Sequence, residues 1–226
     1  GGVTTSGAQT YGNAVVLGAD TVFTTTNGPI QFVQDVSGSY ALIVAGGTGN
    51  VTFSSTIGGG ADPTGISITT TGNITFAGTV NTGGAITLIG ANVSINNGIY
   101  ASASGNVQIT NSGSLTILDT TSAADDTTAD ISILGDFIQI SGGGGSTVSI
   151  QGDIVTSAGN SITFNSPLTL TGNVLLQANG AGNITLNSTM NPTTASTEGL
   201  RFYTGTGTIS VTGPVGNVLR LGALSI

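Results

Sequence analysis

Gly84-Ala85-Ile86-Thr87-Leu88-Ile89-Gly90-Ala91-Asn92-Val93-Ser94-Ile95-Asn96-Asn97-Gly98 holds the same motif twice, as Ile86-Thr87-Leu88 and Val93-Ser94-Ile95. Each copy is an apolar residue, a short polar one and another apolar one. Side chains alternate faces along a strand, so each triplet sends two apolar groups one way and one hydroxyl the other. The pattern occurs sixteen times, for example at Ile66-Ser67-Ile68, Ile131-Ser132-Ile133 and Ile184-Thr185-Leu186, always with Ser, Thr or Gln in the middle. No helical period competes with it. The chain reads as a long series of very short strands, each with one wet and one dry face.

A second element, Gly-Asn before an apolar residue, recurs at Gly49-Asn50-Val51, Gly72-Asn73-Ile74, Gly105-Asn106-Val107, Gly172-Asn173-Val174, Gly182-Asn183-Ile184 and Gly216-Asn217-Val218. Both residues tolerate positive φ and the Asn side chain bonds its own backbone, so the pair is expected to turn the chain and start a strand. About eighteen short strands are expected between Tyr40 and Leu221, one every ~10 residues. The stretch 119–126 has no apolar stripe and reads as a loop, and Gly142 to Gly145 as a second flexible point. Triplets continue in one style on both sides of each, so residues 1–226 are expected to form a single domain.

Three all-β architectures use such a pattern. A membrane barrel needs strands of about 9–11 residues and aromatic girdles. A β-sandwich, the runner-up, needs strands of about 5–6 residues and usually large core aromatics. A parallel β-solenoid needs many very short strands separated by tight turns, with apolar side chains stacked coil on coil. The solenoid is the expected fold. With about 20 residues per coil and about 4.8 Å per coil, eleven coils would make a rod roughly 50 Å long.

Composition removes most chemistry. The 226 residues include no His, Cys, Trp or Lys, two Arg and ten carboxylates, for a net charge of −8. Two cations do not neutralise a nucleic-acid backbone or favour an anionic membrane surface. Without His or Lys there is no imidazole base, Ser-His-Asp triad or Schiff-base amine. Without Cys there is no disulfide or thiolate-bound zinc. The longest apolar stretch, Tyr40 to Ala45, is far shorter than a membrane helix. Gly205-Thr206-Gly207 has Ser210 where a dinucleotide fingerprint needs its third Gly. Glycoside chemistry by paired carboxylates remains open. Its candidates, Asp119, Asp125, Asp126, Asp130 and Asp136, have only Phe137 as an aromatic neighbour. Asp119, Asp125, Asp126 and Asp130 are also the candidates for a Ca²⁺ site, although their spacing fits neither an EF-hand nor a nonapeptide repeat. A solvated acidic loop is the expectation, with no cofactor. Five Asn-x-Ser/Thr sequons, at Asn50, Asn73, Asn92, Asn183 and Asn187, read as turn residues.

Two features bear on assembly. Leu200-Arg201-Phe202 and Leu219-Arg220-Leu221 place both arginines at the centre of apolar triplets, facing outward near one end, with Glu198 as a pairing partner. The last triplet, Leu224-Ser225-Ile226, stops mid-pattern with no polar cap, and Val3-Thr4-Thr5 also looks able to extend a ladder. Open coils offer unpaired backbone groups. Val3, Arg220, Leu224 and Ile226 are therefore the candidate assembly residues, with Arg220 meeting an acid such as Asp20 on a neighbour. Gly1-Gly2-Val3 reads as an internal cut in a longer repeat protein.

Gly7-Ala8-Gln9-Thr10-Tyr11-Gly12-Asn13-Ala14-Val15-Val16-Leu17-Gly18-Ala19-Asp20-Thr21 resembles a segment of filamentous-haemagglutinin-like repeat proteins. Gly47-Thr48-Gly49-Asn50-Val51-Thr52-Phe53 and Gly72-Asn73-Ile74-Thr75-Phe76-Ala77-Gly78-Thr79-Val80 are similar to that family's strand repeats. The resemblance covers roughly residues 7–90 and is compositional beyond. It implies a right-handed β-helical shaft in a large secreted bacterial surface protein, with no catalytic residues to carry over. The expected function is thus the non-catalytic, rod-like shaft of an extracellular adhesin, partnered by neighbouring repeats, copies of itself, or a host or biofilm surface. The alternatives are a subunit that self-assembles end to end and a polysaccharide-acting β-helix enzyme.

Overall fold

The computed structural model describes residues 1–120 and 129–226. Among them are twenty-eight strands and no helix, and every strand pair is parallel, as in a β-solenoid. The chain winds through three sheet faces in turn. The first has ten strands, from Gly2–Thr5 to Ile209–Val211; the second has nine, from Gln9–Tyr11 to Met190–Pro192. The third begins with Val15–Val16 and Val36–Ser37 and passes through single bridges at Ile57 into seven strands from Val80–Thr82 to Ala223–Ser225.

Ten coils result, one fewer than expected, with twenty-one strands between Tyr40 and Leu221 among the described residues. Coils vary in length because loops swell between faces. Ile66 pairs with Ile86, twenty residues on, whereas Val107 pairs with Phe137, thirty residues on. At ~4.8 Å per coil the stack is about 48 Å long.

The triplets sit as their alternation requires. Ile68, Ile74, Phe76, Ile86, Leu88, Ile95, Ile109 and Ile117 are buried. Ser67, Thr75, Thr87, Ser94, Gln108 and Thr116 stand on the wetter side. Parallel register stacks each residue on its counterpart, so identical side chains form columns. Tyr11, Phe32, Phe53 and Phe76 make one such column, with ring centroids 4.9, 4.7 and 5.4 Å apart. Each stacked pair adds about 0.5–1.5 kcal/mol to the burial of the rings.

Three triplets depart from this pattern. Ile209-Ser210-Val211 and Leu224-Ser225-Ile226 belong to the last coil and lack a neighbour on one side, so their apolar residues are partly or fully exposed. Ile138-Gln139-Ile140 is inverted. Phe137 takes the inward position between Val107 and Ile162, and strand alternation then puts Gln139 inside, between Ile109 and Phe164. Gln139 is 0% exposed. Its amide donates to Asn111 Oδ1 (2.8 Å) and Ser166 Oγ (2.9 Å). Its Oε1 accepts the N–H groups of Asn165 (2.9 Å) and Ser166 (3.1 Å). The burial is tolerated because the amide is satisfied on both sides.

The Gly-Asn pairs work between coils, in contrast to the expectation that Asn bonds its own turn. Asn50 Oδ1 accepts the N–H of Asn73 (2.9 Å), and Asn73 Oδ1 accepts the side-chain amide of Asn92 (2.9 Å). Asn92 Oδ1 accepts the N–H of Ser114 (2.8 Å). Another corner repeats this device through Asn106, Asp136, Ser161, Asn183 and Thr208. The glycines are required mainly by close approach: a Cβ at Gly49 would lie 2.0 Å from the carbonyl oxygen of Gly28. Of the six, only Gly216 has positive φ, at 62°, and its pair opens no strand.

Candidate functional site

A solenoid presents two kinds of surface for function: its lateral faces with their corner loops, and the edges of its end coils. Of the acidic candidates, Asp119 and Asp130 fall in the corner between the second and third faces, and Asp136 in the corner between the third face and the first face of the next coil. Asp125 and Asp126 lie outside the described residues. Asp130 contradicts the expectation of a solvated acid, being 2% exposed. Its Oδ1 accepts the N–H (2.8 Å) and hydroxyl (2.6 Å) of Thr120. Its Oδ2 accepts the N–H of Asp153 (2.7 Å) in the next coil. Asp130 is thus a bracket between coils. Burial, and then the Asp130 charge, push the Tyr100 phenol above its ordinary value of 10.0. Among the described residues no three acids gather as a metal-binding group. Asp136 Oδ1 accepts the N–H of Ser161, so this carboxylate too is engaged with backbone.

Acids elsewhere are used in the same way. Asp20 Oδ1 accepts the N–H of Ala41 (2.9 Å), and Asp35 Oδ1 accepts the hydroxyl of Ser55 (2.6 Å). Asp153 Oδ1 accepts the N–H of Leu175 (2.6 Å). A short acidic side chain at a corner reaches the coil above and satisfies a donor that the turn leaves outside the ladder.

The assembly candidates occupy both ends. Val3 lies on the outermost strand of the first face, paired on one side with Phe23. Leu224 pairs with Leu200 on one side only. Leu224 is 52% and Ile226 85% exposed. Arg220 departs from expectation. Leu219-Arg220-Leu221 forms no strand, and the chain returns to the ladder only at Ala223–Ser225. The backbone carbonyl of Arg220 accepts the N–H of Ser196 (2.7 Å), and its side chain is exposed. Arg201 does sit outward on a strand, paired with Leu175 and Ser225.

Glu198 bonds neither arginine. It accepts the hydroxyl of Thr193 and the N–H of Thr194 (3.0 Å), closing the loop before the strand Gly199–Thr204. Burial pushes this carboxyl up; the bonds from Thr193 and Thr194 outweigh it and leave the group below its ordinary 4.5. Within that loop Ser196 has φ 61°, the one positive-φ residue besides glycine among the described residues.

Sequence reasoning missed the Gln139 cluster and the hollow beside Arg201 described below. The Phe137–Gln139 alternation against the neighbouring Ile138-Gln139-Ile140 was a legible signal for the first. The second arises from coils distant in sequence and had none.

Comparison with protein-family models, with curated proteins and with solved structures finds no match.

Proposed function

We propose that this chain is a structural module of an extracellular bacterial fibre, the shaft that holds an adhesive part away from the cell. The observation that carries this reading is the parallel stacking of ten coils, with a register shift among the described residues only at Ala45–Gly47. Each coil repeats the same three-faced cross-section, so reach grows by addition of coils and each coil is stabilised by its neighbours. Polar corner brackets reinforce the stack where the sheet ladders turn. Two of the acids that a hydrolase would use, Asp130 and Asp136, are engaged in such brackets, which supports a non-catalytic role.

The second reading is a subunit that assembles end to end. It is favoured by the exposed Leu224 and Ile226 at one end and Val3 at the other. Such a contact is head-to-tail and open-ended, which yields filaments. Immunogold labelling of intact cells producing the natural polypeptide tests the shaft reading. Label on fibres outside the envelope is expected; label confined to the cytoplasm would overturn it. Light scattering of the purified chain over rising concentration, with Leu224→Lys as control, tests the second reading.

A further inference from the structure

We infer that the third face carries a lateral binding site for a carboxylate-bearing saccharide, centred on Arg201. This goes beyond the shaft reading and stands independently of it.

The site begins with a change of side-chain size down one column. Asn173 is followed one coil on by Gly199, whose N–H bonds its Oδ1 (2.8 Å), and then by Ala223, paired with Gly199. Beside this receding column stands an outward one, Leu175, Arg201 and Ser225. The two enclose a hollow of about 340 Å³, with Asp153 at its far end. Tyr203 stands two residues from Arg201 on the same side of the strand and is 49% exposed.

The chemistry of the walls selects the ligand. Among the described residues Arg201 makes no hydrogen bond or ion pair, so its five donors are open to solvent. A guanidinium fork matches a carboxylate bidentately. Leu175 and the Tyr203 ring offer apolar surface to the C–H faces of sugar rings, with the phenol as a polar handle. A polyphosphate is disfavoured, because the single cation here does not neutralise its several charges. The left-handed Ser196 lies in the loop feeding the strand that bears Arg201. Such strain persists where the surroundings over-determine it, as at ligand sites.

The test is an NMR titration of the intact labelled chain with digalacturonate at low salt, where exposed charge is least screened. Saturable shifts are expected within Gly199–Thr204 and at Ser225. Arg201→Gln should weaken binding at least tenfold, and Arg201→Lys several-fold, because an ammonium lacks the fork. Ala223→Phe, which fills the hollow from an exposed position, should weaken it as well. Unchanged melting of each variant separates these losses from unfolding. The inference is overturned by no saturation up to about 10 mM, by undiminished binding to Arg201→Gln, or by equal affinity for the neutral disaccharide cellobiose. Tighter binding of a Glu-Glu dipeptide would likewise overturn it, in favour of a peptide ligand.

Discussion

Replacing Gln139 by Leu puts an apolar residue into an apolar column, and simple core logic expects a gain. The hydrogen bonds around the amide reverse the sign. The substitution leaves the N–H groups of Asn165 and Ser166 without their acceptor, and Asn111 Oδ1 without its donor. Each orphaned group costs about 1–3 kcal/mol, or about 3–9 together. Burying a leucine returns about 1.5–3 kcal/mol. The net expectation is a loss centred on about 4 kcal/mol, within about 0–7.5, a large share of the stability of an ordinary domain. Urea unfolding followed by far-UV circular dichroism measures it. Native-state hydrogen exchange localises it, since the Asn165 and Ser166 amides should lose protection before those of Ile68 or Leu88. A midpoint equal to or above that of the wild type would refute the reasoning, because it would mean that the buried amide network adds nothing.

Asp130→Ala should cost about 2–4 kcal/mol in the same assay, since it frees the Thr120 and Asp153 N–H groups; an unchanged midpoint would return Asp130 to the status of a loop acid. Glu198 has a folded pKa below its ordinary 4.5, so its contribution is complete above 4.5 and is lost as pH falls through the folded value. The difference in melting temperature between wild type and Glu198→Gln should therefore shrink below about pH 4.5, and a difference that grows on acidification would contradict that sign.

The legible part of the fold was the part set by alternation. Ile86-Thr87-Leu88 and Val93-Ser94-Ile95 each settle in from out without any neighbour, because strand pleating is local. Coil spacing was legible only on average, since a loop's length leaves no mark on the triplets that flank it. The Gly-Asn pairs were seen but misassigned: turn chemistry and a bracket to the next coil demand the same residues, and only the register, with Asn73 set against Asn50, separates them. Asp130 failed for a related reason. Its partners in space lie ten residues back, at Thr120, and in the next coil, at Asp153, and neither spacing leaves a mark on the sequence around it. Leu219-Arg220-Leu221 shows the converse, a triplet with the right pattern but no strand. Leu224 and Ile226 were legible as an apolar triplet without a polar cap, whereas the Arg201 hollow depends on Gly199 and Ala223 falling in one column, which only the winding decides.

The central claim is that the molecule is a modular rod whose reach is proportional to its coil number. Residues 66–85 form one complete coil in register with Ile86, so extra tandem copies of that segment should insert as extra coils. Small-angle X-ray scattering of chains with one, two and four added copies measures this directly. The account predicts a maximum dimension that grows by about 4.8 Å per copy, with a constant cross-sectional radius of gyration. A cross-section that widens with each copy, or a length that stays fixed while the added segment is protease-sensitive, would contradict it.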